Sequence, residues 1–205
     1  GVYSFVLWAY LRYLEGHLDA SDHQNRLRDV FGVLTYRQRF EEMRETARLD
    51  ALTGAENRRS LFEGGAALIQ KSVGRGEPVS LFMIDIDGFK KINDAHGHSA
   101  GDLVLNDFVA LMHETVRDTD PIYRYGGDEF VIIAPAADRT PAGVLARAIR
   151  DAAERLEFKH GGQGLSISVG VATGPADGTT LGELVEAADR SMYATRHGRP
   201  SERAD

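Results

Sequence analysis

The chain contains no cysteine. A disulfide framework, a thiolate metal site and a cysteine nucleophile are therefore all excluded. It has no apolar run of the roughly 18–20 residues needed to cross a bilayer. The aromatic-rich run at residues 2–14 is interrupted by Arg12 and followed by Glu15, and it lacks the basic start and small-residue cleavage site of a signal peptide. Positive charge is scarce as well: 24 Lys and Arg stand against 31 Asp and Glu, leaving a net charge of −7. That excludes the broad basic face needed to coat DNA or RNA, although a single nucleotide needs only a few placed cations. No internal repeat occurs, and no low-complexity stretch beyond the polar tail at 199–205. What is present is ordinary for a folded chain, with 42% hydrophobic and 27% charged residues, and a length that suits one domain with or without an appendage.

Residues 1–49 differ from the rest. Helices are expected at 3–18 and 22–48, with 16–21 as the break and Ser21 or Asp22 as the cap. In the second helix Val33, Tyr36, Phe40, Met43 and Ala47 recur at alternating steps of three and four. Charges at Arg37, Arg39, Glu41, Glu42, Arg44 and Glu45 flank them, which makes a short heptad seam. A parallel dimeric coil would use that seam, and so would a helix packed on its own domain. Residues 2–14 fit a buried amphipathic helix or the cytoplasmic end of a membrane helix.

From Leu49 onward helices and strands alternate. Helices are expected at 58–74, 102–117, 140–156 and 181–196, the third opened by Pro141 in its first turn. Residues 79–87 form a nearly continuous apolar run, the mark of a strand buried on both faces. Residues 122–125 and 129–135 read as two strands joined by Gly126-Gly127, and 165–173 as a last strand. This order implies a mixed β-sheet covered by helices, an α/β fold.

Chemistry concentrates in three places. Asp85 and Asp87 end the buried strand, and alternation puts both on one face with Ile86 on the other. Carboxylates are expensive to bury unpaired, and oxygen ligands of this kind suit Mg²⁺ or Mn²⁺ bridging to phosphates. The same acids could also merely cap the strand. The hairpin Tyr125-Gly126-Gly127-Asp128-Glu129-Phe130 adds two glycines that permit positive φ and close approach to a ligand. Its two acids are not needed for turning. Placed beside the 79–87 strand, Asp128 would meet Asp85 around one or two ions. Between these segments, Asn93 and Asp102 have the groups to read a guanine edge, or to cap helices. Lys90 is a phosphate contact or one charge on a solvated face.

Taken together the residues resemble the GGDEF domain of diguanylate cyclases, from Asp50 to about Arg199. The matching motifs are Asp50-Ala51-Leu52-Thr53-Gly54 with Asn57-Arg58-Arg59, Asp85-Ile86-Asp87-Gly88-Phe89-Lys90 with Asn93-Asp94, and Gly97-His98 with Gly101-Asp102. Arg124-Tyr125-Gly126-Gly127-Asp128-Glu129-Phe130, residues 166–172 and residues 188–193 complete them. The resemblance implies a fold similar to the palm of polymerases and class III nucleotidyl cyclases, with a helical segment at 1–49, the catalytic domain at 50–199 and a tail at 200–205. It implies GTP as substrate, cyclic di-GMP as product and inhibitor, and a bacterial, cytoplasmic location with an upstream sensor domain or membrane segment. Asp85, Asp128 and Glu129 would be catalytic, and Asp85, Ile86 and Asp128 would hold Mg²⁺ or Mn²⁺. Asn93 and Asp102 would recognise guanine, and Leu52 would line the base pocket. Gly88, Phe89 and Lys90 would hold phosphates, with Gly126 and Gly127 close to the substrate.

Each such domain binds one GTP, so two copies must face each other to close the ring, which gives the 33–47 seam a purpose. Arg117-Asp118-Thr119-Asp120 precedes Gly126 by the family's spacing for a product-inhibition site; Arg117 and Asp120 would grip the product, with Arg147 or Arg150 assisting. Arg196 stands where the family usually has a phosphate-binding Lys, and Pro200 replaces a typical Asn. A silent domain that only binds cyclic di-GMP or GTP is the alternative implied.

Overall fold

The computed structural model describes residues 48–156 and 164–198, the side chains of 195–198 excepted. The expected helices at 3–18 and 22–48, the 33–47 seam and the 200–205 tail lie outside them, apart from Arg48. The described residues belong to a compact unit, Arg48–Asp205. Five strands form one sheet: β1 (Glu56–Asn57), β2 (Val79–Ile86), β3 (Ile122–Arg124), β4 (Glu129–Pro135) and β5 (Ile167–Gly174). Their order is β1-β3-β4-β2-β5, parallel between β1 and β3 and antiparallel elsewhere. The helices are α1 (Arg58–Ser60), α2 (Ala66–Gly74), α3 (Phe89–His96), α4 (His98–Thr115), α5 (Arg139–Glu154) and α6 (Leu181–Gly198).

Strand β2 is central, and its alternation explains the apolar run. Phe82, Ile84 and Ile86 point to one side, where they meet Val104, Leu105, Phe108 and Met112 of α4 and Ala142, Ala146 and Ile149 of α5. Leu81 and Met83 point to the other, onto Ile69 of α2 and Leu184, Ala188 and Met192 of α6. Burial on both faces is what a helix-covered sheet demands. The α/β architecture with a mixed sheet is thus as expected.

Several boundaries differ from the sequence expectation. The helix expected at 58–74 contains a π-helical stretch at Leu61–Gly65, where Glu63-Gly64-Gly65 gives weak support to regular α geometry. Residues 90–102, which carry Lys90, Asn93 and Asp102, are largely helical, holding most of α3 and the first turn of α4. Helix α4 starts at His98, not Asp102, because Gly97 at φ 83° breaks the chain between the two helices. Strand β2 ends at Ile86 and β3 at Arg124, one residue early in each case. Among the described residues, no helix is long and apolar enough to cross a membrane.

Candidate active site

Register builds the site. In the antiparallel pairing of β2 with β4, Asp85 stands opposite Glu129, so their side chains share one face. Ile86 N–H donates to the carbonyl of Asp128 at 3.3 Å, which puts Asp128 beside the end of β2. In the pairing with β5, Ile86 stands opposite Ile167. The end of β2, the β3–β4 hairpin and the start of β5 therefore meet at one end of the sheet. Asp85 is half-buried, with Oδ1 sealed from solvent.

The hairpin is anchored from both sides. Phe130 is fully buried and packs on Phe108 with ring centroids 5.1 Å apart at 58°, a favourable tilted aromatic pair. On the other side Arg124 donates to the Gly127 carbonyl through Nε at 3.2 Å and Nη2 at 2.7 Å. Its Nη1 donates to Asp50 Oδ1 at 2.9 Å. Asp50 also accepts from Thr53 N–H at 2.9 Å and the Thr53 hydroxyl at 2.8 Å. Burial alone would raise the Asp50 pKa, but the bonds from Arg124 and Thr53 outweigh it and hold the carboxyl below its ordinary value of 3.8. A further contact lies outside the turn, where Arg58 sits over the Tyr125 ring at 4.7 Å and the Phe62 ring at 5.7 Å.

The glycines do not adopt the positive φ expected of them. Neither Gly126 nor Gly127 has positive φ. A Cβ on Gly126 would displace the Glu129 carboxylate from its place, whereas a Cβ on Gly127 would meet open space. The first glycine thus sets where Glu129 can lie.

Asn93 is brought up to the start of the next helix by a similar close approach. Asn93 lies inside α3 and Asp102 inside α4, so neither caps a helix. A Cβ on Gly101 would collide with Asn93 Oδ1 and stand 3.1 Å from Phe89 Cζ. Asn93 is therefore pressed against the residue preceding Asp102. Asp102 and Lys90 are exposed, Asn93 and Phe89 half-buried. Leu52 is half-buried against the same core cluster as Phe89. Gly88, at φ 73°, forms the turn between β2 and α3. Arg196 falls in α6 with its side chain outside the described residues.

Arg117 and Asp120 line a cavity of about 520 Å³ together with Val116, Pro141, Val144 and Leu145. Asp120 is only 4% exposed, and accepts from Arg117 N–H at 3.3 Å and the Thr119 hydroxyl at 3.2 Å. Neither Arg147 nor Arg150 lines this cavity. Arg150 donates to the Val169 carbonyl at 3.1 Å, across α5 on β5. The sequence pattern gave no role to Asp50 or Arg124, although both stand within the motifs quoted above.

Residues 47–201 match the family model described as "Diguanylate cyclase, GGDEF domain". The chain is similar to the response regulator PleD of Caulobacter vibrioides, 38% identical over 164 residues, covering 78% of this chain and 36% of that protein. It is similar to the diguanylate cyclase DosC of Escherichia coli K12, 35% identical over 171 residues, with 82% and 37% covered. It thus spans a little over a third of these two relatives. Among solved structures, the coiled coil and GGDEF domain of DgcB from Caulobacter crescentus, in complex with c-di-GMP, superposes with a TM-score of 0.67. Its identity is 27%, with 86% of this chain and 95% of that one covered.

Proposed function

The chain belongs to the GGDEF diguanylate cyclase domain family, and on that premise we propose that it condenses two GTP molecules into cyclic di-GMP with release of two pyrophosphates. The observation that carries this reading is the register pairing of Asp85 with Glu129, with the hydrogen bond from Ile86 N–H to the Asp128 carbonyl, at one end of the sheet. It gathers acids where a triphosphate could lie, between the Gly88 turn and the hairpin.

The donor set fits Mg²⁺ or Mn²⁺. Asp85, Asp128 and the Ile86 carbonyl offer only oxygen, the preference of hard cations. Among the described residues no three acidic or imidazole side chains gather into a site of their own. Mg²⁺ is commonly bound by one or two carboxylates, with substrate phosphates and water completing its coordination. A bound ion would lower the pKa of the attacking 3′-hydroxyl and offset charge on the leaving pyrophosphate. Glu129, held over Gly126, would stand near that hydroxyl. Asn93 and Asp102 would read guanine, with Leu52 against the base. Gly88, Phe89, Lys90 and Arg196 would hold phosphates, and Gly126 and Gly127 would let the hairpin approach them.

One such site holds one GTP, so the ring closes only between two copies. The heptad pattern at 33–47, which precedes Asp50 in the sequence, would supply a parallel coil for that purpose. Arg117 and Asp120, in the lining of the 520 Å³ cavity, would bind product and inhibit. Arg147 is the helper closer to this reading, since Arg150 is engaged with β5.

The test is incubation of the chain with GTP and Mg²⁺, following cyclic di-GMP by chromatography. Product should form, and Asp128→Ala should abolish it with the fold intact. Folded dimer that binds GTP but makes no product would refute the enzyme reading and leave a receptor for GTP or cyclic di-GMP.

A further inference from the structure

The strand ending in Asp85-Ile86-Asp87 carries two acids, and the proposed metal set takes only the first. Asp87 lies one residue beyond β2 and is half-buried. Its Oδ2 accepts from the Ser166 hydroxyl and its Oδ1 from the Ser168 hydroxyl, both at 2.7 Å. Its own N–H donates to the Ser166 carbonyl at 3.0 Å. Ser168 is 4% exposed, so that hydroxyl is a buried donor that needs an acceptor. Three bonds thus fasten Asp87 to the start of β5.

Beyond Asp87 the chain turns at once, which gives this clamp a consequence. Gly88 is left-handed at φ 73°, and no side chain caps the start of α3. Lys91 and Ile92 N–H groups donate to the Gly88 carbonyl at 2.8 and 3.3 Å. The chain therefore goes from strand to helix within two residues. On one flank Ile86 is bonded to Asp128, and on the other Asp87 is bonded to Ser166. With the Asp87 carboxylate fixed, the orientation of Gly88, Phe89 and Lys90 relative to Asp85 is set.

We propose that Asp87 is a positioning residue that acts through Ser166 and Ser168 at the start of β5 to hold the Gly88–Lys90 turn against the phosphates of the substrate. This rests on the reading of the site as a nucleoside triphosphate site. The role is one of hydrogen bonding, not of charge toward a metal ion, and the two differ experimentally. An Asn at this position keeps an acceptor and adds an amide that the serine hydroxyls can accept from. A carboxylate that held the metal ion would instead be weakened by the loss of its charge, and the Mg²⁺ requirement would rise.

The experiment uses the full chain and a GTP analogue with a methylene between the α- and β-phosphates, measured by calorimetry over a series of Mg²⁺ concentrations. Unfolding of each variant is recorded alongside, so that only folded protein is compared. Asp87→Ala should weaken binding about tenfold, the scale for residues that orient contacting groups. Asp87→Asn should stay within about threefold of the unaltered chain, about half of that loss on the logarithmic scale. The pair Ser166→Ala with Ser168→Ala should match Asp87→Ala, and all three together should be no worse, because groups acting as a unit do not add. The proposal is overturned if Asp87→Asn is as damaging as Asp87→Ala and raises the Mg²⁺ requirement, or if the double serine variant binds normally. An unaltered chain that binds the analogue but makes no cyclic di-GMP when given GTP and Mg²⁺ would sink the cyclase reading and leave these comparisons valid. A chain that binds no analogue would overturn both.

Discussion

Replacing Arg124 by Ala should loosen the hairpin from the loop at Asp50, and the structure sets the size of the effect. Three charge-assisted bonds are lost: one to Asp50 at 2.9 Å and two to the Gly127 carbonyl at 3.2 and 2.7 Å. Bonds to charged groups contribute about 1.5–3 kcal/mol each when sheltered, but Gly127 is exposed, so water replaces part of that loss. The Arg124 and Asp50 side chains retain 16% and 24% exposure, between surface and buried pairs in strength. A total of about 2–4 kcal/mol results, or a fall in Tm of about 4–16 °C for a chain of this length. Urea unfolding of Arg124→Ala, Asp50→Asn and the double variant should give a coupling energy of about 1–2 kcal/mol. The pH dependence has a definite sign. Burial raises the Asp50 pKa, the Arg124 and Thr53 bonds together lower it by more, and the folded value lies below the ordinary 3.8. The contribution is then fully present above the unfolded value and is lost as pH falls through the folded one. The difference between the unaltered chain and Arg124→Ala should therefore be smaller near pH 3 than near pH 7. Single effects that add to within about 0.5 kcal/mol, or a difference that grows in acid, would refute the reasoning.

Other contacts give further expected outcomes. Phe130→Ala empties a fully buried site against Phe108 and should cost about 3–5 kcal/mol in urea unfolding. Phe130→Leu should cost less than half of that. Gly126→Ala drives a Cβ into the Glu129 carboxylate, so turnover should fall about tenfold or more, an ångström-scale misplacement being enough for that. Gly127→Ala, with open space around it, should be far milder; equal effects would refute the distinction. Arg117→Ala should keep turnover and relieve inhibition by added cyclic di-GMP. Asp120→Ala removes an acceptor buried to 4% exposure and should also destabilise the fold by about 1–3 kcal/mol, which thermal unfolding would detect.

What the sequence determined alone was the set of elements and their chemistry. The apolar run at 79–87 announced a strand buried on both faces, because only a helix-covered sheet can hide both. The hairpin acids were legible because a Gly-Gly turn has no use for Asp128 and Glu129. Motif spacing identified the family. Three-dimensional register decided the rest. Alternation put Asp85 and Asp87 on one face, but pairing placed Asp87 against Ser166 and Ser168, more than seventy residues away. The glycines of the hairpin have the composition of a positive-φ turn, whereas a Cβ on Gly126 would displace the Glu129 carboxylate, a contact local in sequence but visible only in space. Asn93 and Asp102 fit capping equally well by residue type, and only the extents of α3 and α4 exclude it. The fastening of Arg124 to Asp50 spans 74 positions. Composition and period are properties of neighbours along a chain, while these contacts are set by which strand ends lie side by side.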